Sequence, residues 1–276
     1  MNKQYNSRTK KRFGQHWLQS DLVLDQIANA AELNSRDRVL EIGPGTGILT
    51  RRLLASAESV LAVEIDRYLC KKLVKKFQDY QNFLLLQGDF LTLDIPELVN
   101  SFPLFQNQNK IVANIPYNIT GLILEKLLGS ISQPNIVNYE SIVLLIQKEV
   151  GDRLTAKPST KEYGALSVRI QYLASCEKIC DVPAKAFYPP PKVDSVVVKL
   201  CPHILNNPAE NTRQLETLVK LGFSSRRKML RNNFKSIIEV DEFNNLLEKL
   251  EINPQSRAEN LSLEDWIRLS NNFPVK

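Results

Sequence analysis

The chain has 276 residues, of which 43% are hydrophobic and 24% charged, a composition typical of a soluble globular protein. No apolar run is long enough to span a membrane, and the basic start of the chain leads to no apolar signal core, so a cytoplasmic protein is expected. The length predicts one domain of roughly 200 residues with a small appendage.

The formal net charge of +6 is unevenly distributed. Residues 1–13 and 224–235 each hold five basic side chains and no acidic one, and the rest of the chain has 26 basic against 30 acidic residues. A basic excess confined to two short segments is typical of a surface for a phosphate backbone, although a solvated basic face is the alternative. We expect nucleic-acid contacts from these segments, at Arg12, Arg226, Arg227, Lys228 and Arg231.

The first two thirds of the chain alternate between strand-like and helical segments. After a first helix over 22–33, the predicted strands are 38–43, 59–66, 82–89, 110–116 and 140–147, and the helices between them are 47–56, 67–77 and 120–128. Each strand is a continuous apolar run, which predicts a mainly parallel sheet covered on both faces, an α/β fold.

The last third of the chain has a different organisation. Prolines at 189–191 fix an extended segment, an alternating strand follows to residue 200, and 201–211 is interpreted as a linker. Only helices are predicted beyond it, over 212–222, 225–238, 241–250 and 263–271. We therefore predict an α/β domain over 1–205, with a basic N-terminal segment over 1–19, and a helical domain over 206–276.

The four cysteines, Cys70, Cys176, Cys180 and Cys201, are expected to be reduced thiols. They lack the spacing of a zinc site, and the chain has only two histidines, so no metal is expected.

A glycine-rich loop, EIGPGTG over 41–47, follows the first predicted strand of the sheet and opens a helix. A dinucleotide-binding loop would have a third glycine where this chain has Ile48, which disfavours NAD. The carboxylate of Glu41 before the loop suits a cofactor that carries an ammonium and a sulfonium better than it suits a pyrophosphate. The loop resembles motif I of class I methyltransferases, which bind S-adenosylmethionine.

Two further strand ends carry carboxylates, and ligands of parallel sheets bind at that edge. Glu64 can accept hydrogen bonds from both ribose hydroxyls of the cofactor, and Asp66, two residues on, is the alternative. Asp89 can accept from the exocyclic amine of the cofactor's adenine, with a simple turn role as its alternative.

The stretch NIPY, residues 114–117, has the groups needed to activate the exocyclic amine of an adenine. That nitrogen is a poor nucleophile because its lone pair is delocalised, and two acceptors on its N–H groups would free the lone pair. The side-chain oxygen of Asn114 and the carbonyl of Ile115, held rigid by Pro116, can be these acceptors. Tyr117 offers a ring on which the base can stack.

NIPY resembles the N-(I/L)-P-(Y/F) motif of rRNA adenine dimethyltransferases, and the resemblance extends over nearly the whole chain. Further matching segments are KKRFGQHWL (10–18), QKEV..RL (147–154), YG.LSV (163–168), F.PPPKVDS.VV (187–197), FSSRRKMLRNN (223–233) and RAENLS (257–262). On these motifs the chain resembles the family of small-subunit (16S) rRNA adenine-N6,N6-dimethyltransferases.

The resemblance implies a class I, Rossmann-like methyltransferase fold with a mainly parallel seven-stranded sheet, plus a small all-α C-terminal domain that recognises rRNA. It implies dimethylation of two adjacent adenosines near the 3′ end of 16S rRNA in the assembling small ribosomal subunit, with S-adenosylmethionine as cofactor. The implied cofactor contacts are His16, Leu18, Gly43, Glu64, Asp89 and Asn114. Phe187 is expected to flank the target base opposite Tyr117, with a core aromatic as the alternative.

Two neighbouring positions depart from the family's commonest pattern: His16 stands where Asn is frequent, and Trp17 stands where Phe is frequent. The hydrogen-bond partner of His16 is open. Alternative functions are a large-subunit rRNA methyltransferase of the antibiotic-resistance type, a non-catalytic ribosome assembly factor and a DNA adenine methyltransferase. Nothing in the sequence indicates a stable oligomer, so a monomer without membrane contacts is expected.

Overall fold

The computed structural model describes residues 15–135 and 139–274 of the chain. The strands are β1 (Trp17–Leu18), β2 (Arg38–Ile42), β3 (Ser59–Glu64), β4 (Phe83–Gln87), β5 (Lys110–Asn114), β6 (Ser141–Gln147), β7 (Ala174–Val182), β8 (Phe187–Tyr188) and β9 (Ser195–Pro202). The α-helices are α1 (Asp21–Ala30), α2 (Ile48–Leu54), α3 (Arg67–Lys76), α4 (Ile95–Leu98), α5 (Thr120–Leu128), α6 (Lys148–Leu154), α7 (Ala165–Leu173), α8 (Thr212–Gly222), α9 (Leu230–Phe234), α10 (Val240–Lys249) and α11 (Leu263–Asn272).

Seven strands form one sheet in the order β4-β3-β2-β5-β6-β9-β7. The first five are parallel to one another, and β9 runs antiparallel to β6. The expected mainly parallel seven-stranded sheet is confirmed. The two short strands β1 and β8 form a separate antiparallel pair.

The register of the parallel strands brings their carboxyl ends to one edge. Ile42 at the end of β2 pairs with Val63 on one side and Ala113 on the other. Asn114, the last residue of β5, pairs with Leu145 of β6. The segments that follow β2, β3, β4 and β5 therefore begin side by side, which is where the polar signals of the sequence stand.

The strands are held by a continuous apolar core. Val60 of β3, Val112 of β5 and Val143 of β6 are fully buried and cluster with Leu53 of α2 and Leu73 of α3. Burial of continuous Val, Leu and Ile runs is the main favourable contribution to such a sheet. The core thus fixes the strands whose ends carry the polar groups.

A buried ion pair lies at the opposite ends of the strands. The ammonium of Lys110 is 3.1 Å from the carboxylate of Asp37, and the two side chains are 8% and 3% exposed. Lys110 also donates to the carbonyls of Ala31 and Glu32, and Asn109 donates to Asp37. A buried pair satisfied in this way is tolerated, whereas removal of one partner would leave an uncompensated charge.

Two predicted segments differ from the structure. The predicted helix over 225–238 is reduced to α9, because the side-chain amide of Asn233 donates to the carbonyls of Gly222 and Ser225 and so stabilises a turn after α8. The predicted linker over 201–211 starts later, because β9 continues to Pro202. The structure also adds α6, α7 and β7, which the sequence pattern did not assign.

The chain folds into two compact units. The first takes in the chain up to Leu124 with Asn138–Lys148 and Lys178–Leu200, and the second takes in Glu125–Val137, Glu149–Glu177 and the chain from Cys201 onward. The division into domains 1–205 and 206–276 stays a prediction, since the second unit also contains two earlier segments of the chain. No described helix combines the length and the apolar character needed to cross a membrane.

Candidate active site

A cavity of about 300 Å³ lies at the carboxyl edge of the parallel strands, within the first unit. This volume is at the lower end of the range of small-molecule sites. Ten residues that the sequence predicts to be catalytic or cofactor-binding line it: His16, Leu18, Gly43, Glu64, Asp89, Asn114, Ile115, Pro116, Tyr117 and Phe187. The structure thus brings together segments that are far apart in the sequence.

The glycine loop forms one wall of the cavity. Gly43 has a φ of +69° and donates its N–H to the carbonyl of Val63 at 2.9 Å. Gly45 has a φ of +59°, and a Cβ atom there would lie 2.6 Å from Cζ3 of Trp17. The indole of Trp17 therefore lies directly on the loop, a contact that a residue with a side chain could not permit.

Gly45→Ala is expected to displace Trp17 and to weaken cofactor binding at least about tenfold, since backbone strain and the clash act on the same wall. Isothermal titration with S-adenosylmethionine measures the effect. Gly121→Ala is the matched control: Gly121 lies in α5 with open space around it, so alanine should leave affinity unchanged. Equal affinities of the two variants would refute the role given to the Trp17 contact.

Two carboxylates lie under the glycine loop. Glu41, on β2, is 1% exposed, and burial, followed by the charge of Glu64, raises its pKa to about 8. Oε2 of Glu41 has no hydrogen-bond partner among the described residues. Glu64, at the end of β3, accepts from the N–H groups of Gly45 at 3.1 Å and Asp66 at 2.8 Å, one on each oxygen. Burial also raises the pKa of Glu64.

Asp66, the alternative to Glu64 as the acceptor for the ribose hydroxyls, caps a helix instead of lining the cavity. Its Oδ1 accepts from the N–H of Tyr68 at 2.9 Å, so it is the N-cap of α3. Glu64 lines the cavity, and Asp66 is not among the residues that line it. The geometry therefore favours Glu64 as the carboxylate that faces a bound ligand.

Asp89 combines the two roles considered for it. Its Oδ1 accepts from the N–H of Leu91 at 2.9 Å, which is a turn interaction that fixes the orientation of the carboxyl group. The residue also lines the cavity, beside Phe90 and Leu91. Asp89 can therefore stabilise the turn and accept a hydrogen bond from a bound ligand at the same time.

The NIPY segment leaves β5 at the same edge. The N–H of Ile115 donates to the carbonyl of Leu145 at 3.3 Å, and Ile115 is 1% exposed, so the backbone is tied to the sheet at this point. Pro116 is extended, with a φ of −61° and a ψ of 135°, and a 3₁₀ turn over Tyr117–Ile119 follows. Asn114 and the Ile115 carbonyl are therefore carried on a rigid backbone.

The ring of Tyr117 is fixed at its hydroxyl end and on its face. Its hydroxyl lies 2.5 Å from Oγ of Ser195, and its ring is stacked with that of His16 at a centroid distance of 6.1 Å and an angle of 17°. Nδ1 of His16 lies 2.7 Å from the carbonyl oxygen of Pro189 and donates to it. The hydrogen-bond partner of His16, which the sequence does not determine, is therefore a backbone carbonyl of the proline-rich segment.

The strand pair of β1 and β8 forms another wall of the cavity. Trp17 pairs with Tyr188 and Leu18 with Phe187. Phe187 lines the cavity but is only 3% exposed and belongs to the apolar core cluster. Phe187 therefore belongs to the core and also lines the cavity. Its contact with a target base stays a prediction.

Two buried polar atoms in the cavity wall lack partners among the described residues, and they have opposite character. Oε2 of Glu41 is an acceptor, and Nε1 of Trp17 is a donor. Buried groups of this kind are normally satisfied, so they indicate a ligand that carries a donor and an acceptor. S-adenosylmethionine carries an ammonium and a carboxylate, and the residues present fit it.

The predicted basic residues after α8 differ in what they contact. The guanidinium of Arg226 donates to the carbonyls of Lys161 and Tyr163 at 2.6 and 2.9 Å and lies 3.3 Å from the carboxylate of Glu259. Arg227 and Lys228 are exposed, and Arg231 is half-buried. Arg226 therefore anchors the loop that carries two exposed charges. Arg12 lies outside the described residues.

Sequence reasoning missed several contributors to this site. Ser195 orients Tyr117, the Pro189 carbonyl orients His16, and Lys76 donates to the carbonyls of Thr46 and Gly47. The carbonyl contacts leave no trace in the residue types, so no pattern could have shown them. Ser195 belongs to the motif F.PPPKVDS.VV (187–197), but only the folded chain places its hydroxyl beside Tyr117.

Comparison with known proteins agrees with this geometry. The sequence model of the family described as ribosomal RNA adenine dimethylase matches residues 6–274. A protein of Nostoc sp. (strain PCC 7120) named ribosomal RNA small subunit methyltransferase A is 60% identical over 98% of this chain and 99% of its own length. A protein of the same name from Rippkaea orientalis is 62% identical over 95% of this chain and 96% of its own length.

Two solved structures are also similar over most of the chain. A dimethyladenosine transferase from Plasmodium falciparum has a TM-score of 0.75 and 30% identity, covering 92% of this chain and 96% of its own. The 23S rRNA methyltransferase ErmE has a TM-score of 0.72 and 26% identity, covering 92% and 98%. The fold is thus that of class I S-adenosylmethionine-dependent methyltransferases, and the chain belongs to the ribosomal RNA adenine dimethylase family.

Proposed function

We propose that this protein transfers methyl groups from S-adenosylmethionine to N6 of two adjacent adenosines near the 3′ end of 16S rRNA, in the assembling small ribosomal subunit. The product is N6,N6-dimethyladenosine, and the reaction is part of small-subunit biogenesis in the cytoplasm. The observation that carries the proposal is that the glycine loop, its carboxylates and NIPY line one and the same cavity. The name of the relatives at about 60% identity supports the choice of subunit.

The cofactor residues each receive a task. We propose that Glu64 accepts from the ribose hydroxyls and Asp89 from the adenine amine of the cofactor, while Gly43, His16 and Leu18 complete its enclosure. Glu41 pairs with the cofactor's ammonium, because an ionised carboxylate with an unsatisfied oxygen is costly without a counter-charge. When bound, S-adenosylmethionine supplies an electrophilic methyl group on its sulfonium.

The protein's own contribution to the reaction is to hold the target amine. Oδ1 of Asn114 and the carbonyl of Ile115 accept from its two N–H groups, which frees the nitrogen lone pair for in-line attack on the methyl group. Pro116 keeps the second acceptor rigid, and the ring of Tyr117, fixed by Ser195, holds the base. After transfer the cationic nitrogen loses a proton to water, so no strong general base is required.

We propose that the two predicted domains divide catalysis and rRNA recognition between them. Residues 1–205 form the catalytic domain and 206–276 a helical rRNA-recognition domain, with Arg227, Lys228 and Arg231 as phosphate contacts and Arg12 as a contact from the N-terminal segment. The protein acts as a monomer, without a metal ion or a membrane.

Methylation of stripped small and large ribosomal subunits in parallel tests the substrate. Methyl transfer is expected to the small subunit only, and mapping of the methyl groups should place them on two adjacent adenosines near the 3′ end of 16S rRNA. Transfer only to the large subunit would replace the proposal by the activity that the name of ErmE describes. No transfer to either, with intact subunit binding, would support a non-catalytic assembly factor.

Neutralising the basic residues after α8 should separate their contribution to RNA binding from their contribution to stability. Arg227→Gln with Lys228→Gln is expected to weaken subunit binding and to reduce the slope of log K against log salt by about 1 to 2. Arg226→Gln is expected to lower the free energy of unfolding by about 1 kcal/mol, because the carbonyls of Lys161 and Tyr163 lose a charged donor.

Binding at several salt concentrations and chemical denaturation measure these two effects. Should the double variant lose cofactor affinity while its salt slope stays at the wild-type value, Arg227 and Lys228 would be structural residues.

A further inference from the structure

The exposed face of α3 is a third basic surface, in addition to the two basic segments evident in the sequence. Five of its ten residues are basic and none is acidic, and the members of this surface, Arg67, Lys71, Lys72 and Lys75, are all exposed. The apolar residues Leu69, Cys70 and Leu73 are buried on the other side of the helix. The charges are therefore concentrated on the side that faces solvent.

This arrangement is unfavourable for an isolated helix. Arg67 and Lys71, and Lys71 and Lys75, are like-charged pairs at i and i+4, which destabilise a helix where opposite charges would stabilise it. By contrast, Arg52 of the same unit pairs with Asp21 and Asp25, at 2.6 and 2.8 Å. A solvated face would be expected to carry such pairs.

The four basic residues of the surface form no ion pair with any described residue. The acids next to the helix in sequence do not compensate them. Asp66 is 3% exposed and accepts from the N–H of Tyr68 as the N-cap, and Asp79 lies beyond the last turn. The surface thus carries four positive charges that no described acidic side chain neutralises.

An aromatic ring lies among these charges. Tyr68 is 49% exposed, and the ammonium of Lys72 lies 4.4 Å from the centre of its ring. An exposed ring interleaved with basic side chains offers a face for stacking with a base and donors for phosphates. This combination is more typical of a surface for a nucleic acid than of one for an acidic protein.

The position of the helix connects the surface to the cavity. Ile65 lines the cavity and is 45% exposed, and α3 begins two residues later at Arg67. The first turn of α3 therefore starts at the cavity mouth. A polynucleotide whose base enters the cavity has its backbone outside it, within reach of this helix.

We propose that the exposed face of α3, formed by Arg67, Tyr68, Lys71, Lys72 and Lys75, binds the RNA substrate through its phosphate backbone beside the cavity mouth. The inference rests on the proposed function in that its partner is the RNA that is methylated. It assigns to the first unit a contact with RNA that is separate from the basic segment after α8.

Lys71→Gln with Lys75→Gln tests the proposal, because glutamine keeps the helix propensity and removes two charges. Arg36→Gln with Lys178→Gln is the matched control, since it removes two exposed charges elsewhere in the first unit. Binding to a protein-free fragment of 16S rRNA and to stripped small subunits is measured over a series of salt concentrations. The α3 variant is expected to bind both several-fold more weakly, with a slope reduced by about 1 to 2, and the control to match the wild type.

Two results would overturn the proposal. One is identical binding of the α3 variant and the control, and the other is a loss with stripped subunits but not with the protein-free fragment, which would indicate a ribosomal protein as the partner. The unfolding midpoint of each variant checks that it is folded. Methylation by the wild type, measured in parallel, separates the two ideas: its absence from small subunits would refute the proposed function without changing the binding comparison.

Discussion

Asn114→Ala is expected to reduce methyl transfer by at least about 100-fold while binding to the small subunit stays within about twofold of the wild type. The side-chain oxygen is one of two acceptors proposed for the target amine, and its loss acts on the reacting nitrogen and not on the RNA surface. Single-turnover methylation of stripped subunits and a separate binding measurement give the two quantities.

Asn118→Ala is the control for this experiment. Asn118 lines the same cavity and lies in the turn after Pro116, but it is exposed and has no role in the proposed clamp. Its variant should retain methylation within about threefold. Full activity of the Asn114 variant would remove the acceptor role, and an equal loss in both variants would point to a general distortion of the segment.

Glu41→Gln is expected to stabilise the protein without cofactor and to weaken cofactor binding at least about tenfold. Burial raises the pKa of Glu41 to about 8, against an ordinary value of 4.5 in the unfolded chain. Between these values the folded state holds a proton that the unfolded state has lost. Stability from this group is therefore fully present below about pH 4.5 and is lost as the pH rises through about 8.

The size of the effect follows from the same shift. At pH 7 the wild type has lost on the order of 3 kcal/mol relative to acidic conditions, and glutamine, which does not titrate, avoids this loss. Chemical denaturation at about pH 5.5, 7 and 8.5 measures it, and Glu140→Gln, an exposed position, is the control. An unchanged pH dependence in the Glu41 variant would contradict the assignment of the shift to this residue.

Cofactor titration completes the test of Glu41. Pairing with the ammonium needs the ionised carboxylate, so the wild-type affinity for S-adenosylmethionine is expected to rise between about pH 6 and 8, whereas that of the variant stays flat. The buried charge of Glu41 would then lower the stability of the protein without cofactor while strengthening the binding of S-adenosylmethionine. Equal affinities of the two proteins would exclude a contact between Glu41 and the ammonium.

The parts of the fold that could be predicted are those with a strong local signal. The β2 to β6 strands are continuous apolar runs, and α3 has a clear buried stripe, so their bounds differ from the predictions by two residues at most. The strand β7 and the helices α6 and α7 have shorter or mixed patterns. Their structure depends on neighbours that the local sequence does not reveal.

The site divides in the same way. The ten lining residues could be predicted because polar residues at the ends of parallel strands must converge, and because the motifs resemble a known family. The contact between His16 and the Pro189 carbonyl could not, since a carbonyl belongs to every residue type. Arg226 has the same sequence context as Arg227, and only the folded chain shows that its guanidinium is engaged.

The pairing of β1 with β8 has a consequence for the order in which the site is completed during protein synthesis. The partners His16 and Pro189 are 173 residues apart, so the wall that carries His16, Trp17 and Leu18 cannot close until more than two thirds of the chain has left the ribosome. The parallel strands that carry Gly43, Glu64 and Asn114 can form earlier. A nascent chain would therefore acquire the five parallel strands of its sheet well before it could retain its cofactor, and cofactor retention would report the late step.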